Sequence, residues 1–148
     1  MELENTIQND IKAAMLAKDQ PRLEALRAIK SVFLLLRTSP EGFTEESALK
    51  AIMKEAKKRR ESADIFNQQN RKDLADVEIF QAGVIESYLP KMMSEEELRA
   101  ELQKIIASVG ASSPADMGKV MGVASKQFAG KADGKMISTI VKDLLSKG

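Results

Sequence analysis

Three stretches of this 148-residue sequence carry side chains whose types and spacing could do chemistry, and in each the chemistry is that of cations. Lys57-Lys58-Arg59-Arg60 sets four positive charges within little more than one helical turn, so they fan around the axis rather than forming one stripe. Guanidinium can grip a phosphate bidentately, which makes Arg59 and Arg60 the stronger phosphate candidates of the four. The alternative is a solvated face that pairs with its own acids, because Glu55, Glu61 and Asp64 lie close by in sequence. In the second stretch, Gly118 and Gly122 stand four apart with Lys119 between them and Lys126 beyond. A glycine inside an aqueous helix costs about 1 kcal/mol relative to alanine, so a compensating role is expected. That role is close packing of a neighbouring helix or close approach of an RNA backbone. The third stretch, Gly130-Lys131-Ala132-Asp133-Gly134-Lys135, superficially suggests a phosphate-binding P-loop. Its glycines are one residue too close for that motif, Met136 stands where Ser or Thr is required, and no strand precedes it. A turn feeding a helix capped by Asp133 fits better. Two lysines flank a positive helix terminus there, so a phosphate contact is the competing reading.

Other chemistry is excluded by what is missing. With no Cys and no His there are no disulfides, thiolate or imidazole metal ligands, cysteine nucleophiles or histidine bases. The carboxylate pairs Glu95/Glu96 and Asp73/Asp76 fall at expected helix starts, where the helix dipole accounts for them. Met92, Met93, Met117 and Met121 read as packing rather than a binding groove. The sequence therefore offers no catalytic residue, metal site or cofactor site.

The elements that position these stretches are all helical. Aromatic residues make up only 4% and Trp is absent, so the core is built from Leu, Ile, Val, Met and Ala. Leu3, Ile7, Ile11 and Met15 recur on one face of a first helix. Pro21 opens a second, through Leu23, Leu26, Ile29, Phe33 and Leu36; being apolar on several sides near its end, it is expected at the centre of its domain. Thr44 caps a long third helix with Leu49, Ile52, Met53, Ala56, Ala63 and Phe66 inward, and a fourth runs from Asp73 to Leu89-Pro90. Ser94-Glu95-Glu96-Glu97 is a capping box for a fifth helix that Gly110 closes. Ser113-Pro114 opens a sixth and Asp133-Gly134 a seventh. The expected architecture is all-α: a larger N-terminal domain of about four helices over residues 1–90, then a small three-helix domain over 91–148, whose core is marginal by size.

Charge is distributed unevenly. Residues 1–90 hold 14 basic and 15 acidic side chains, whereas past Glu101 seven lysines face three aspartates. That bias is mild beside many nucleic-acid binders, yet it coincides with the second and third stretches. The longest apolar run, Val32 to Leu36, is far too short to cross a bilayer, and Met1-Glu2-Leu3-Glu4-Asn5 is unlike a signal peptide, so a cytoplasmic location is expected.

The run from Lys57 to Ala63, Tyr88-Leu89-Pro90 followed by Ser94 to Leu98, and Asp116 to Gly122 followed by Gly130 to Lys135, taken in this order and spacing, resemble the YqeY family of small bacterial proteins over essentially the whole chain. That family is similar to the C-terminal tail of the B subunit of the tRNA-dependent amidotransferase. The enzyme converts Glu-tRNA(Gln) or Asp-tRNA(Asn) to the amidated form with glutamine as nitrogen donor, and its tail contacts the body of the tRNA. A related appendage occurs on some glutaminyl-tRNA synthetases. The resemblance implies a tRNA-associated role and a family-level description as a carbon–nitrogen ligase, with the kinase and transamidation chemistry residing in domains this chain lacks. The implied partners are tRNA and an aminoacyl-tRNA synthetase or amidotransferase subunit. A protein–protein adaptor of the translation machinery is the alternative. Lys119, Lys126, Lys131 and Lys135, with help from Lys57, Lys58, Arg59 and Arg60, are the expected phosphate contacts; Gly118, Gly122, Gly130 and Gly134 are the expected points of close approach.

Overall fold

A computed structural model of the chain describes residues 1–147. Its elements are α1 (Glu2–Leu16), α2 (Gln20–Arg37), α3 (Glu45–Gln68), α4 (Lys72–Glu86), α5 (Glu95–Val109), a 3₁₀ turn (Pro114–Asp116), α6 (Met117–Gln127) and α7 (Gly134–Lys147). There is no strand among the described residues. The helices form two compact units that divide between Leu89 and Pro90.

Local chemistry sets the helix boundaries. The Asp19 carboxylate accepts from the Arg22 amide at 3.3 Å and starts α2 with Pro21 in its first turn. Thr44 and Ser47 exchange reciprocal bonds (Ser47 N–H to Thr44 Oγ1, 3.1 Å; Thr44 N–H to Ser47 Oγ, 2.9 Å) that satisfy orphan amides at the head of α3. Ser94 and Glu97 do the same for α5. Gly110 closes α5 at φ +70°, a conformation a side chain resists.

In the first unit Ile7, Ile11 and Ala14 of α1, Leu23, Leu26, Ile29 and Phe33 of α2, Ala48, Ile52 and Ala56 of α3, and Val84 and Ile85 of α4 share one core. The inward face of α1 thus runs through Ala14 rather than Met15, which is 55% exposed; spacings of four and then three follow the 3.6-residue period better than repeated fours. The end of α2 departs further from expectation. Phe33 is buried, but Leu34 and Leu35 are 57% and 70% exposed, because α3 covers only part of that helix's surface. Beyond the shared core, Ala63 of α3 and Ala75 and Ala82 of α4 are buried, small enough to let the two helices lie close. The second unit closes around Leu98, Leu102, Val120, Ala124 and Val141, all fully buried, so three short helices and a turn do enclose a core. The sixth helix begins later than Ser113-Pro114 suggests: the proline opens a 3₁₀ turn and regular α-helix starts at Met117.

The phenol of Tyr88, beyond the end of α4, donates to Asp10 of α1 at 2.5 Å. Burial first, and then this bond, push its pKa well above the ordinary value of 10.0. In the unfolded chain the phenol ionises near pH 10 while the folded chain keeps it protonated. Above that pH the unfolded state therefore binds fewer protons, and stability falls as pH rises. Tyr88→Phe is expected to lose about 1–2 kcal/mol near neutral pH by stranding Asp10, and to show a shallower decline above pH 10 than the parent chain. Urea unfolding of both proteins from pH 7 to 11 checks both effects.

Candidate nucleic-acid interface

Helix α6 turns Val120 and Ala124 into the core of the second unit. Helical periodicity then sends Gly118, Lys119, Gly122, Val123 and Lys126 to the opposite side, where all are exposed. Lys119 and Lys126 are two turns apart on that side, about 10 Å along the axis. A Cβ built on Gly118 or Gly122 would meet nothing within 4 Å, so the close-packing expectation for this pair is corrected: among the described residues of its own unit no helix lies over them. What remains on the surface is a strip of bare helix backbone flanked by ammonium groups. Lys119 lies 3.9 Å from Asp116 and its side chain stays 69% exposed. Asp116 also accepts from the Ser112 amide at 3.0 Å, and that bond holds its pKa below the usual carboxylate range.

The segment after α6 is pinned by backbone bonds. The Lys131 amide donates to the Phe128 carbonyl, and the Lys131 carbonyl accepts from Met93, both at 2.9 Å. Gly130, at φ +76°, is buried, so the demand for glycine there comes from the backbone turn. The exposed Lys131 borders a cleft of about 600 Å³ with Lys91, Met92 and Phe128, opposite the carboxylates of Glu97 and Glu101. Asp133 caps α7 as the sequence suggests, its Oδ1 accepting from the Lys135 amide at 3.0 Å. A carboxylate thus already occupies the terminus where a phosphate was the competing reading, and an anion bound there would have to share it. Lys135 is exposed beside it, and a Cβ at Gly134 would meet nothing within 4 Å, which corrects the close-packing reading there too.

The basic run on α3 divides by function. Arg59 reaches Glu55 at 3.2 Å, the Gln81 carbonyl at 2.6 Å and Glu78 at 3.5 Å. Arg60 forms a two-pronged pair with Glu86, with Nε at 2.8 Å. That pair holds the Glu86 carboxyl below its ordinary pKa and raises the Arg60 guanidinium. Both arginines therefore tie α3 to α4. Lys57 and Lys58 are exposed, and Lys58 projects toward α2 as the last of an evenly spaced series, Lys50, Lys54 and Lys58. This series escaped the sequence reading, although a spacing of four residues on one helix is a legible signal. Among the described residues no cluster of acidic side chains could hold a metal ion, and no helix is long and apolar enough to cross a membrane.

A family model described as Yqey-like protein matches residues 4–145. Among curated relatives, a protein of Clavispora lusitaniae is 27% identical, with 97% of this chain and 89% of the relative covered. One of Meyerozyma guilliermondii is 29% identical, with 80% and 65% covered, and one of Pyrenophora tritici-repentis is 28% identical, with 94% and 78% covered. All three are named altered inheritance of mitochondria protein 41, mitochondrial. These relatives, each named as mitochondrial, overturn the expectation of a cytoplasmic location. A short apolar run, one ground of that expectation, suits a mitochondrial interior equally well and so never separated the two.

Removing Arg59 leaves Glu78 facing a mostly dry helix contact without its counter-charge, since its buried Oε2 makes no hydrogen bond of its own. Arg59→Met is expected to lower unfolding free energy by about 1–3 kcal/mol, and adding Glu78→Gln to recover part of the loss. Urea midpoints of the single and double variants measure the difference.

Proposed function

This chain belongs to the YqeY family, and we propose that it is a tRNA-associated helical module that holds backbone phosphates with its C-terminal unit and makes no bond by itself. The observation that carries this reading is the outer side of α6: exposed Lys119 and Lys126 flanking two glycines over which no side chain lies. Glycine removes the steric barrier to a sugar-phosphate backbone, and the lysines supply the counter-charge. Lys131 and Lys135 extend the positive character through the following turn. With no Trp in the sequence, base stacking is a minor contributor, and recognition is by shape and charge. The resemblance to the amidotransferase tail supports the same RNA class, and a synthetase or amidotransferase subunit as protein partner. The carbon–nitrogen ligase description belongs, in this reading, to an assembly rather than to this chain, whose carboxylates near the lysines serve as caps and ion-pair partners.

Four phosphate contacts imply an affinity for folded tRNA that falls roughly a hundredfold between 50 and 200 mM salt. Filter binding across that range tests it, together with a variant carrying Lys119→Glu, Lys126→Glu, Lys131→Glu and Lys135→Glu, which should lose binding while keeping its helical circular dichroism. Weak, salt-insensitive binding, or full binding by the variant, would sink the proposal. The purified chain incubated with glutamine, ATP and Glu-tRNA(Gln) is expected to yield no Gln-tRNA(Gln).

A further inference from the structure

The N-terminal unit carries a second surface that phosphate binding does not use. Only Phe33 of the apolar run Val32 to Leu36 is fully buried. Val32 and Leu36 are half-buried, and Leu35 is 70% exposed. Helix α3 lies beside them with Ala51 turned toward the gap and Lys50, Lys54 and Lys58 along it. The result is a cleft of about 490 Å³ with an apolar floor and a lysine on every turn of one wall. The three lysines span about 12 Å, or slightly more than two turns of an α-helix. Two carboxylates also border the cleft, Glu41 and Glu55, and Glu55 is committed to Arg59. Lys50 pairs with Glu46 at 3.0 Å, whereas Lys54 and Lys58 extend from the wall as exposed charges.

We propose that this cleft docks an amphipathic helix from another protein, its apolar stripe on Val32, Leu35, Leu36 and Ala51 and its acidic flank along Lys54 and Lys58. Such a ligand matches both halves of the surface: apolar anchors every three or four residues fill the floor, and carboxylates meet the basic wall. Nucleic acid fits poorly, because its phosphates would be set against Leu35 and Leu36. A second copy of this chain is the competing occupant, because α4 exposes Val77 and Phe80 beside Asp73 and Asp76; sedimentation that shows a dimer broken by Leu35→Asp would overturn the proposal. The inference does not rest on the proposed tRNA contacts Lys119, Lys126, Lys131 and Lys135, which lie on the other unit, although Lys58 was also an expected phosphate contact.

The test uses the full chain and a display library of helices of about 18 residues, roughly 27 Å long, with leucine at helical-stripe positions and randomised flanks. Selected peptides are expected to be rich in Glu and Asp on one flank, to bind with micromolar affinity by fluorescence anisotropy, and to weaken at least about tenfold against Leu35→Asp and against Lys54→Glu with Lys58→Glu. Leu35 is surface-exposed, so Leu35→Asp should unfold at the parent temperature, and a normal thermal transition certifies it as a fair comparison. The proposal fails if no peptide is enriched, if the enriched flanks are neutral or basic, or if binding ignores either variant. It also fails if these variants reduce tRNA binding instead, which would make the cleft part of the nucleic-acid surface. Loss of tRNA binding in the four-lysine variant, with peptide binding intact, keeps the two readings apart.

Discussion

The first unit depends on a guanidinium group about three-quarters withdrawn from water between two helices. Arg59 sits between Glu55 one turn back on its own helix and Glu78 and Gln81 on α4, with Gln81 itself only 6% exposed. Moving an arginine out of water is tolerable only when several acceptors replace its hydration, and here two carboxylates and an amide oxygen do so. The neighbouring Arg60–Glu86 pair repeats the connection one residue later and nearer the solvent. These ties help fix the register of α4 on α3 along the stretch where the buried residues are the small Ala63, Ala75 and Ala82, with little shape to define it. Register in turn brings Val84, Ile85 and Tyr88 to the places where they meet α1 and α2. The same ties decide what the surface can do, because the arginines best suited to gripping phosphate are the ones withdrawn from it.

The helices themselves were legible because their signals are local. Thr44, Ser94, Gly110 and Asp133 act within a turn of their own position, and each does what its residue type favours there. The fate of the run Lys57 to Arg60 was not legible, since Arg59 finds Gln81 and Arg60 finds Glu86, 22 and 26 residues away. No spacing rule within α3 could separate these from Lys58, which faces the other way. Gly118 and Gly122 show the complementary limit. Their sequence predicted a reason for glycine but not which one, and only the emptiness over their Cα atoms removes a described neighbouring helix of the same unit from the choice. The exposed leucines at the end of α2 depart from expectation for a related reason: an apolar run signals burial somewhere, and the covering surface need not belong to the same molecule.

The two units use their charges differently, in a way composition only hinted at. The N-terminal unit commits its arginines Arg37, Arg59, Arg60 and Arg71 to ion pairs within the unit and presents an apolar cleft walled by lysines. The C-terminal unit, with fewer acids past Glu101, leaves Lys119, Lys126, Lys131, Lys135 and Lys142 exposed. Curated relatives match over most of this chain's length, so both units travel together in them.

The bare strip on α6 also has a dynamic consequence. Two glycines in an 11-residue helix withhold about 1.5–2 kcal/mol of propensity that alanine would supply without any clash. An element so short, with its weakest backbone facing water, opens locally more readily than α5 or α7 beside it, and its amides exchange with solvent deuterium sooner. Anything that settles on that strip and shields those amides would therefore write its presence into the exchange rates of a dozen consecutive residues, far from any change in overall shape.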